Sequence, residues 1–457
     1  MRLASAVNPF RVLWKRRALE RSCRWTRSQL ERHQHSRVEE LRRYVMAHSR
    51  FYQRFHRGLE HQPLTALPIL TKAVMMEHFD DLVTDPAIRL ADAEAFVVAN
   101  QGAALFRDRY VVLSTSGSTG RRGVFLFDPQ EWLTALAMIT RPLAWAGPGG
   151  GFKRPPRSAM IASTTPWHYS TRVSAALSSR LLPSLRLDAS EPLARIVSRL
   201  NEWQPENLAA YPSVLMQLAD EQMNGRLHIH PRSIATSAEV LRDDTRMRVH
   251  EAWGVRVFDT YGATEYAPIS AECVFGRKHL FEDGAIIEVV DDQGGAVPAG
   301  AAGERLLLTI FDRRTQPLIR YEISDMVRPI AAGCECGRPF RLIESIEGRV
   351  EDVLEFPSRG GTGPPVSIHP KVFHHVLESV PATGWQVREE DAGLTVLLSG
   401  LRDTAVSERI AGSVRALLEE RGALVGSITV RAVDQLERGA TGKAPLVMSR
   451  RRRKTGG

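Results

Sequence analysis

Between residues 160 and 259, short apolar segments alternate with segments of helical character, and this alternation constrains the fold more than any other feature. The predicted strands are 160–162, 207–211, 233–236 and 255–259, and predicted helices begin at Ser213 and Asp243. Strands that alternate with helices in this way form a parallel α/β sheet. Ligands of such sheets bind at the carboxyl ends of the strands, in the loops that lead into helices. The sequence therefore predicts a ligand site at that edge of the sheet.

A second stretch, residues 110–123, carries four strand-forming residues followed by a loop of glycines and small hydroxyl residues. Gly117, Gly120 and Gly123 permit positive φ and a close approach of the backbone to a ligand. The N–H groups of the loop can donate to phosphate oxygens, as can its hydroxyls, which belong to Ser114, Thr115, Ser116, Ser118 and Thr119. No Gly-Lys-Ser/Thr follows at the spacing of a Walker loop. The stretch predicts a strand that ends in a phosphate-binding loop, with a flexible polar linker as the alternative.

The remaining segments indicate more than one domain, as 457 residues exceed a single compact core. Residues 11–60 show helical spacing, and Thr71 is a predicted N-cap. Runs of β character at 285–290, 304–310, 318–321 and 326–329 predict an antiparallel β subdomain. Beyond residue 349 the order is strand, helix, strand, strand, helix, strand, at 353–356, 370–380, 385–389, 394–398, 404–422 and 427–432. About a hundred residues of this kind are the size of a separate small domain.

The composition, 43% apolar and 25% charged, is that of a globular protein. No apolar run is long enough to span a bilayer and no signal peptide is recognised, so we expect a cytoplasmic protein without a membrane span. The net charge of +9 is concentrated in residues 1–50 and 450–454, which leaves the rest mildly acidic. Solvated termini explain this distribution better than a nucleic-acid partner does. An organelle transit sequence is the other interpretation of the basic N-terminal segment, although its glutamates are atypical.

Five segments occur in an order that resembles the acyl-adenylate-forming superfamily of acyl-CoA ligases, adenylation domains and luciferases; they are 114–123, 259–265, 320–325, 348–352 and 438–443. Further segments are similar to the phenylacetate–CoA ligase branch, namely 51–52, 67–72, 210–213 and 334–338. The resemblance covers residues 40–448. It implies an α/β fold with a large N-terminal domain, residues 1–349, of mainly parallel α/β sheets plus a β subdomain. That domain would include a helical extension over about 1–60. A small mobile α+β domain, 350–457, would end in a basic tail, 450–457.

The resemblance also implies ligands and residue roles. Ser116, Gly117, Ser118, Thr119 and Gly120 would hold the β- and γ-phosphates of ATP. Glu265 would bind Mg²⁺, which prefers hard oxygen ligands, and Thr264 would hydrogen-bond the α-phosphate or the attacking carboxylate. Tyr261 would lie against the adenine, and Asp325 offers two acceptor oxygens to the ribose hydroxyls. Gly262 and Glu239 complete the nucleotide site. Lys443 would stabilise the charge that grows between the carboxylate and the α-phosphate.

The resemblance also implies a hinge, and this chain differs from the family's usual sequence in two places. Arg349 would contact the ribose, and Glu351 would be the hinge about which the small domain turns, so that Lys443 can leave before the thiol enters. Residues 121–123 read Arg-Arg-Gly where the family usually has a Lys-Pro pair, and Arg and Lys do not contact phosphate in the same way. The glycine-rich segment 358–365 is longer than the family's loop and puts the thiol tunnel in question.

Three of the four cysteines, with one histidine, predict a metal site. Cys334 and Cys336 enclose a single residue and precede a glycine, while Cys273 and His279 are six residues apart. Three thiolates and one imidazole are a common structural zinc set, and the resemblance implies a structural ion. The alternative is that Cys273 is an apolar core residue and the other two are loop thiols.

These observations predict an ATP-dependent ligase that joins a carboxylic acid to coenzyme A through an acyl-AMP, and the resemblance implies an aryl or arylacetic acid. Trp167, His168 and Tyr169 follow a predicted strand and are candidates for the acid pocket, or else packing residues. One alternative is an adenylating enzyme that passes its acyl group to an amine, a hydroxyl or a carrier-protein thiol. Another is a non-catalytic nucleotide-binding scaffold. A homodimer is one open expectation for the assembly.

Overall fold

The computed structural model describes residues 7–99, 104–115, 122–145, 156–177, 183–349, 352–360, 365–368, 371–377, 380, 382, 384–391, 393–401, 406–438 and 444–449. The N-terminal segment forms three helices, α1 (Pro9–Glu20), α2 (Arg27–His48) and α3 (Arg50–Phe55). A capping box between Thr26 and Gln29 begins α2. The predicted helices of this segment are therefore present, and the buried residues of α2 lie on one face. Thr71 caps α4 (Lys72–Glu77) as predicted.

A nine-stranded sheet lies at the centre of the fold, in the order β13-β14-β9-β8-β7-β6-β5-β3-β4. Its parallel half consists of β3 (Ser158–Ala162), β4 (Ser184–Asp188), β5 (Asn207–Ala210), β6 (Ser233–Ser237) and β7 (Val257–Tyr261). The helices of this half are α8 (Tyr169–Leu177), α9 (Leu193–Trp203), α10 (Pro212–Met223) and α11 (Asp243–Trp253). The predicted alternation of strands and helices is confirmed.

The other half of the same sheet is antiparallel, and it corrects the predicted boundary of the β subdomain. It consists of β8 (Ser270–Glu272), β9 (Lys278–Leu280), β13 (Asp325–Ile330) and β14 (Leu342–Arg349). Only β10 (Ala285–Val290), β11 (Arg305–Ile310) and β12 (Tyr321–Ile323) form the separate antiparallel sheet. The run at 326–329 belongs to β13 and so to the large sheet, because it pairs with β14 rather than with β12.

The strand that precedes the glycine loop is present but does not join the large sheet. Among the described residues, β1 (Val111–Ser114) pairs only with β2 (Val124–Phe127), and all residues of these two antiparallel strands are buried. The helices α5 (Phe79–Leu82), α6 (Leu90–Ala99) and α7 (Pro129–Trp145) complete this region. Among the described residues, no helix is both long and apolar enough to cross a membrane.

The C-terminal part of the chain has a hydrophobic core of its own, formed by buried residues between Leu354 and Val447. Its elements are β15 (Leu354–Phe356), β16 (Val366–Ile368), α12 (Lys371–Leu377), β17 (Gly384–Glu390), β18 (Gly393–Ser399), α13 (Ser407–Glu420), β19 (Ser427–Val433) and β20 (Val447–Met448). The predicted order of strands and helices is present, with β16 and β20 added. The four-stranded sheet has the order β19-β18-β17-β20.

A buried ion pair connects α7 with the segment after β9, and the N-terminal segment is fastened to this pair through Ser22. Both carboxylate oxygens of Asp283 accept from Arg141, at 3.0 and 2.8 Å, and the hydroxyl of Ser22 also donates to this carboxylate. The Arg141 side chain is fully buried beside the rings of Phe281 and Phe340. Loss of one partner would leave the other charge buried without compensation.

We expect Asp283→Ala to lower the free energy of unfolding by about 3–5 kcal/mol, because the guanidinium would remain buried and unpaired. Chemical denaturation would measure the loss. The matched control is Asp92→Ala, which removes an exposed pair with Arg107 (3.0 Å) and should leave the midpoint unchanged. Equal effects of the two substitutions would contradict the role given to the buried pair.

Candidate active site

The turn that follows β7, residues 261–267, lies at the carboxyl edge of the parallel strands. The N–H of Ala263 donates to the carbonyl of Tyr266 at 3.1 Å and closes the turn. A Cβ at Gly262 would lie 2.9 Å from the Cβ of Ala267, so the turn has no room for a side chain at this position. Thr264 is half-buried and Glu265 is buried. The local sequence thus brings two candidate catalytic residues to the predicted edge.

Two tyrosine hydroxyls connect this turn with the segment around β12 and β13. Tyr261 donates to Asp325 at 2.6 Å, and Tyr321 donates to Glu265 at 3.1 Å. Burial raises the pKa of Tyr321 well above its usual range, and the neighbouring Glu265 acts in the same direction, so this hydroxyl stays protonated as a donor. Asp325 also stands opposite Arg349 in the register of β13 and β14. Four of the predicted site positions are therefore neighbours in space.

The described ends of the glycine loop converge, and they contact the segment after β3. The N–H of Thr115 donates to the carbonyl of Gly123 at 3.0 Å, and the N–H of Gly123 donates to the Thr115 hydroxyl at 2.8 Å. The N–H of Ser114 donates to the carbonyl of Trp167 at 3.2 Å, which joins the loop to the segment after β3. The predicted phosphate contacts of Ser116, Gly117, Ser118, Thr119 and Gly120 lie outside the described residues.

The three residues predicted for the acid pocket are half-buried and lie between the loop and the turn. The Tyr169 hydroxyl donates to the carbonyl of Ala267 at 3.3 Å. The guanidinium of Arg122 lies 5.6 Å from the centre of the Trp167 ring. The ring of His168 is hydrogen-bonded to Ser170 through Nδ1 at 3.2 Å. Tyr169 is thus held directly behind the turn that carries Glu265.

Behind Tyr169 lies a group of side chains that the sequence did not reveal. The ring of Trp132 stands edge-on to Tyr169 at 5.9 Å and to Phe127 at 5.6 Å. The guanidinium of the buried Arg313 lies 3.8 Å from the centre of the Phe127 ring. Burial lowers the pKa of Arg313, while Glu131 and Glu265 raise it. The sequence feature that could have indicated this group is the pair of arginines at 313–314, which follows the apolar run of β11.

Glu239, at the end of β6, contacts the C-terminal part of the chain. Its carboxylate accepts from the N–H of Ser213 at 3.0 Å and from the N–H of Ala444 at 2.9 Å. This places the residue that follows Lys443 at the carboxyl edge of the parallel strands. The predicted catalytic Lys443 and hinge Glu351 themselves lie outside the described residues, and of Arg349 only the backbone is described.

The predicted metal ligands form a compact cluster at the antiparallel end of the large sheet. The ligand atoms of Cys273, His279, Cys334 and Cys336 all lie within 4.8 Å of one another. The Sγ atoms of Cys273 and Cys334 are 3.6 Å apart, and Sγ of Cys336 is 3.2 Å from Nε2 of His279. Thiolates bound tetrahedrally to zinc at about 2.3 Å stand about 3.8 Å apart. The donor set and its spacing fit a structural zinc ion.

The surroundings of His279 suit a metal ligand. Burial lowers the pKa of His279 to about 4, so the imidazole is neutral at pH 7. Its Nδ1 is 3.4 Å from the carbonyl of Phe340, which favours the tautomer with Nε2 directed at Cys336. The ring of Trp145 covers the histidine edge-on at 5.9 Å.

No family model matches the chain. A phenylacetate–coenzyme A ligase of Thermus thermophilus is 26% identical over 376 residues, which are 78% of this chain and 76% of the relative. A fumarate–(S)-2,3-diaminopropanoate ligase of Enterobacter agglomerans is 22% identical over 55% of this chain and 64% of the relative.

The solved structures of a 2-hydroxyisobutyryl-CoA ligase share the fold. In its postadenylation state, the TM-score is 0.68 at 18% identity, over 91% of this chain and 88% of the other. In its thioesterification state, the TM-score is 0.59 at 18% identity, over 95% and 93%.

We expect the protein, purified without chelator, to carry about one equivalent of zinc. Cys336→Ser should reduce the bound zinc at least tenfold, because one of four ligands is lost. Cys23→Ser is the matched control, since Cys23 lies outside the cluster, beside Arg141. Metal analysis of the three proteins gives the result. Less than about a tenth of an equivalent in the unchanged protein would exclude the site.

Proposed function

Because this chain is a member of the adenylate-forming superfamily, an AMP-forming enzyme with phenylacetate–CoA ligases among its relatives, we propose that it joins a carboxylic acid to coenzyme A. The acid first attacks the α-phosphate of ATP, which gives acyl-AMP and pyrophosphate. The thiol of coenzyme A then attacks the acyl carbon and releases AMP.

One observation carries this proposal: hydrogen bonds of described residues connect the segments that the reaction requires. The end of β1 contacts the segment of Trp167, and Tyr169 contacts the turn that bears Glu265. The turn contacts β12 and β13 through Tyr321 and Asp325. Segments distributed between residues 114 and 325 thus meet at one edge of the sheet, where ligands of such folds bind.

The proposed roles follow from the donor atoms. Glu265 would hold Mg²⁺, which would neutralise charge on the phosphates of ATP. Asp325 would accept from the ribose, with Arg349 opposite it in the strand register. Thr264 would donate to the α-phosphate or to the acid. Lys443, one residue before the anchored Ala444, would stabilise the charge of the adenylation transition state.

We propose an aryl or arylacetic acid as the substrate, supported by the aromatic rings near the site. Phe127, Trp132 and Tyr169 form consecutive edge-on contacts behind the turn of Glu265, and such rings favour an aromatic ligand. An amine acceptor in place of coenzyme A is the second candidate, because a relative is named as a ligase of fumarate and a diamino acid.

We further propose two supporting features. The zinc ion would be structural, because its four ligands would join β8, β9 and the loop before β14. A structural ion needs no coordination position for a substrate. The chain would divide after residue 349, with Glu351 as the hinge between the two half-reactions. The separate hydrophobic core of the C-terminal part supports this division.

We expect acid-dependent release of pyrophosphate, measured over a panel of aryl, arylacetic and aliphatic acids. Lys443→Ala should lower the rate about 100- to 1,000-fold, the usual loss when one group that stabilises transition-state charge is removed. Glu265→Gln should lower it as well and raise the Mg²⁺ concentration required, because an amide is a weaker magnesium ligand.

Arg431→Ala is the matched control for Lys443→Ala, because it removes an exposed cation from the C-terminal sheet and should leave the rate unchanged. Aryl acids should react fastest, and coenzyme A should accelerate turnover. A rate of pyrophosphate release that is unchanged by coenzyme A but increased by an amine would favour the second candidate. Absence of pyrophosphate release with every acid in the panel would overturn the proposal.

A further inference from the structure

The two flanks of the segment that contains Lys443 are both fastened to the N-terminal end of α10. On one flank, Arg438 donates to the hydroxyl of Ser213 at 3.3 Å and to Gln217 at 3.4 Å. On the other flank, the N–H of Ala444 donates to Glu239 at 2.9 Å. Arg438 and Ala444, the described residues on either side of 439–443, are therefore both held at one place on the large sheet.

Glu239 is the centre of this anchorage. Its Oε1 accepts from Ala444 and, at 3.2 Å, from the hydroxyl of Ser213, and its Oε2 accepts from the N–H of Ser213 at 3.0 Å. Ser213 is the second residue of α10, whose first N–H groups have no partner within the helix. A carboxylate at that position is stabilised by the helix dipole and by charge-assisted hydrogen bonds.

Glu437 and Pro445, which lie just outside these two flanks, are held by a contact within the C-terminal part. The side-chain amide of Gln386, on β17, donates to the carbonyls of Glu437 (3.1 Å) and Pro445 (2.7 Å). β20 then pairs with β17, so that Val387 stands opposite Val447. The contacts of Gln386 lie inside one part of the protein, whereas those of Glu239 connect the two parts.

The described residues of the two parts are not closely packed at this place. A cavity of about 240 Å³ separates α10 from the preceding residues of the segment, with Val214 and Gln217 on one side and Gln435 and Leu436 on the other. A poorly filled interface contributes little dispersion energy. The hydrogen bonds of Glu239 and Arg438 therefore supply much of the local attraction. Burial lowers the pKa of Arg438, and the charge of Glu239 raises it.

We infer that Glu239 is a positioning residue: with Arg438 it forms a latch that holds the two residues flanking 439–443 against the large sheet for adenylation and must open before the thioester step. The inference rests on the proposed function, in which Lys443 serves only the first half-reaction. It differs from the nucleotide contact that the sequence suggested for Glu239, because the carboxylate is occupied by Ser213 and Ala444. The latch predicts that its loss affects the two half-reactions unequally.

The test compares Glu239→Gln with Gln386→Leu in two assays on the full chain. The first assay follows formation of acyl-AMP from acid and ATP in a single turnover, and the second follows thioester formation from synthetic acyl-AMP and coenzyme A. In Glu239→Gln, we expect the ratio of the first rate to the second to fall about tenfold, the effect of one charge-assisted hydrogen bond. Arg438→Met should lower the ratio in the same direction.

Gln386→Leu is the matched control, because it removes hydrogen bonds that lie within the C-terminal part and do not involve the large sheet. It should therefore slow both steps alike. An unchanged ratio in Glu239→Gln would overturn the latch. So would an equal loss in both steps with a raised KM for ATP, since that result would show a direct nucleotide contact.

A second readout does not depend on activity. Amide hydrogen exchange at residues 444–449 should be faster in Glu239→Gln than in the unchanged protein, whereas exchange in β18 should be the same. If the unchanged protein forms no acyl-AMP with any acid, the proposed function fails and the exchange result still decides the latch. Identical exchange at 444–449 would then exclude it.

Discussion

Two hydrogen bonds from buried tyrosines to carboxylates determine the geometry of the whole site. Tyr321 lies in the three-stranded sheet and donates to Glu265, which follows the last parallel strand of the large sheet. Tyr261 and Asp325 belong to strands that are separated by three others in the large sheet, yet their side chains meet at 2.6 Å. The sheet must therefore curve back on itself at this end.

This arrangement explains why the site can be ready before its ligands arrive. Carboxylates held by buried donors lose little conformational freedom when they bind a cation or a ribose, so the cost of organising the site is met during folding. Helices α1 to α3 contribute indirectly, because Ser22, between α1 and α2, donates to Asp283 in the segment that connects β9 with β10. The segment before α4 contributes as well, since Leu70 forms a bridge to Tyr321.

The sequence predicts the parts of this structure that depend on local patterns. Periodicity gave the strands β3, β5, β6 and β7 and the C-terminal order of elements, and cysteine spacing gave the four members of the metal cluster. Strand pairing is not local, so nothing in the sequence shows that β13 extends the large sheet rather than the small one. The partners of Tyr321, Asp283 and Glu239 are likewise fixed by contacts between residues 56, 142 and 205 positions apart. Such contacts depend on how the layers pack, and propensity or motif spacing carries no information about them.

In the proposed reaction, the carboxylate of the acid becomes bonded to the α-phosphate of ATP. Transfer of ¹⁸O from a carboxylate-labelled acid to AMP during turnover tests this most directly. If acyl-AMP forms, one carboxylate oxygen remains on the phosphate when the thiol displaces AMP. We expect AMP that contains one labelled oxygen. Thioester formed together with unlabelled AMP, or with ADP and phosphate, would contradict it.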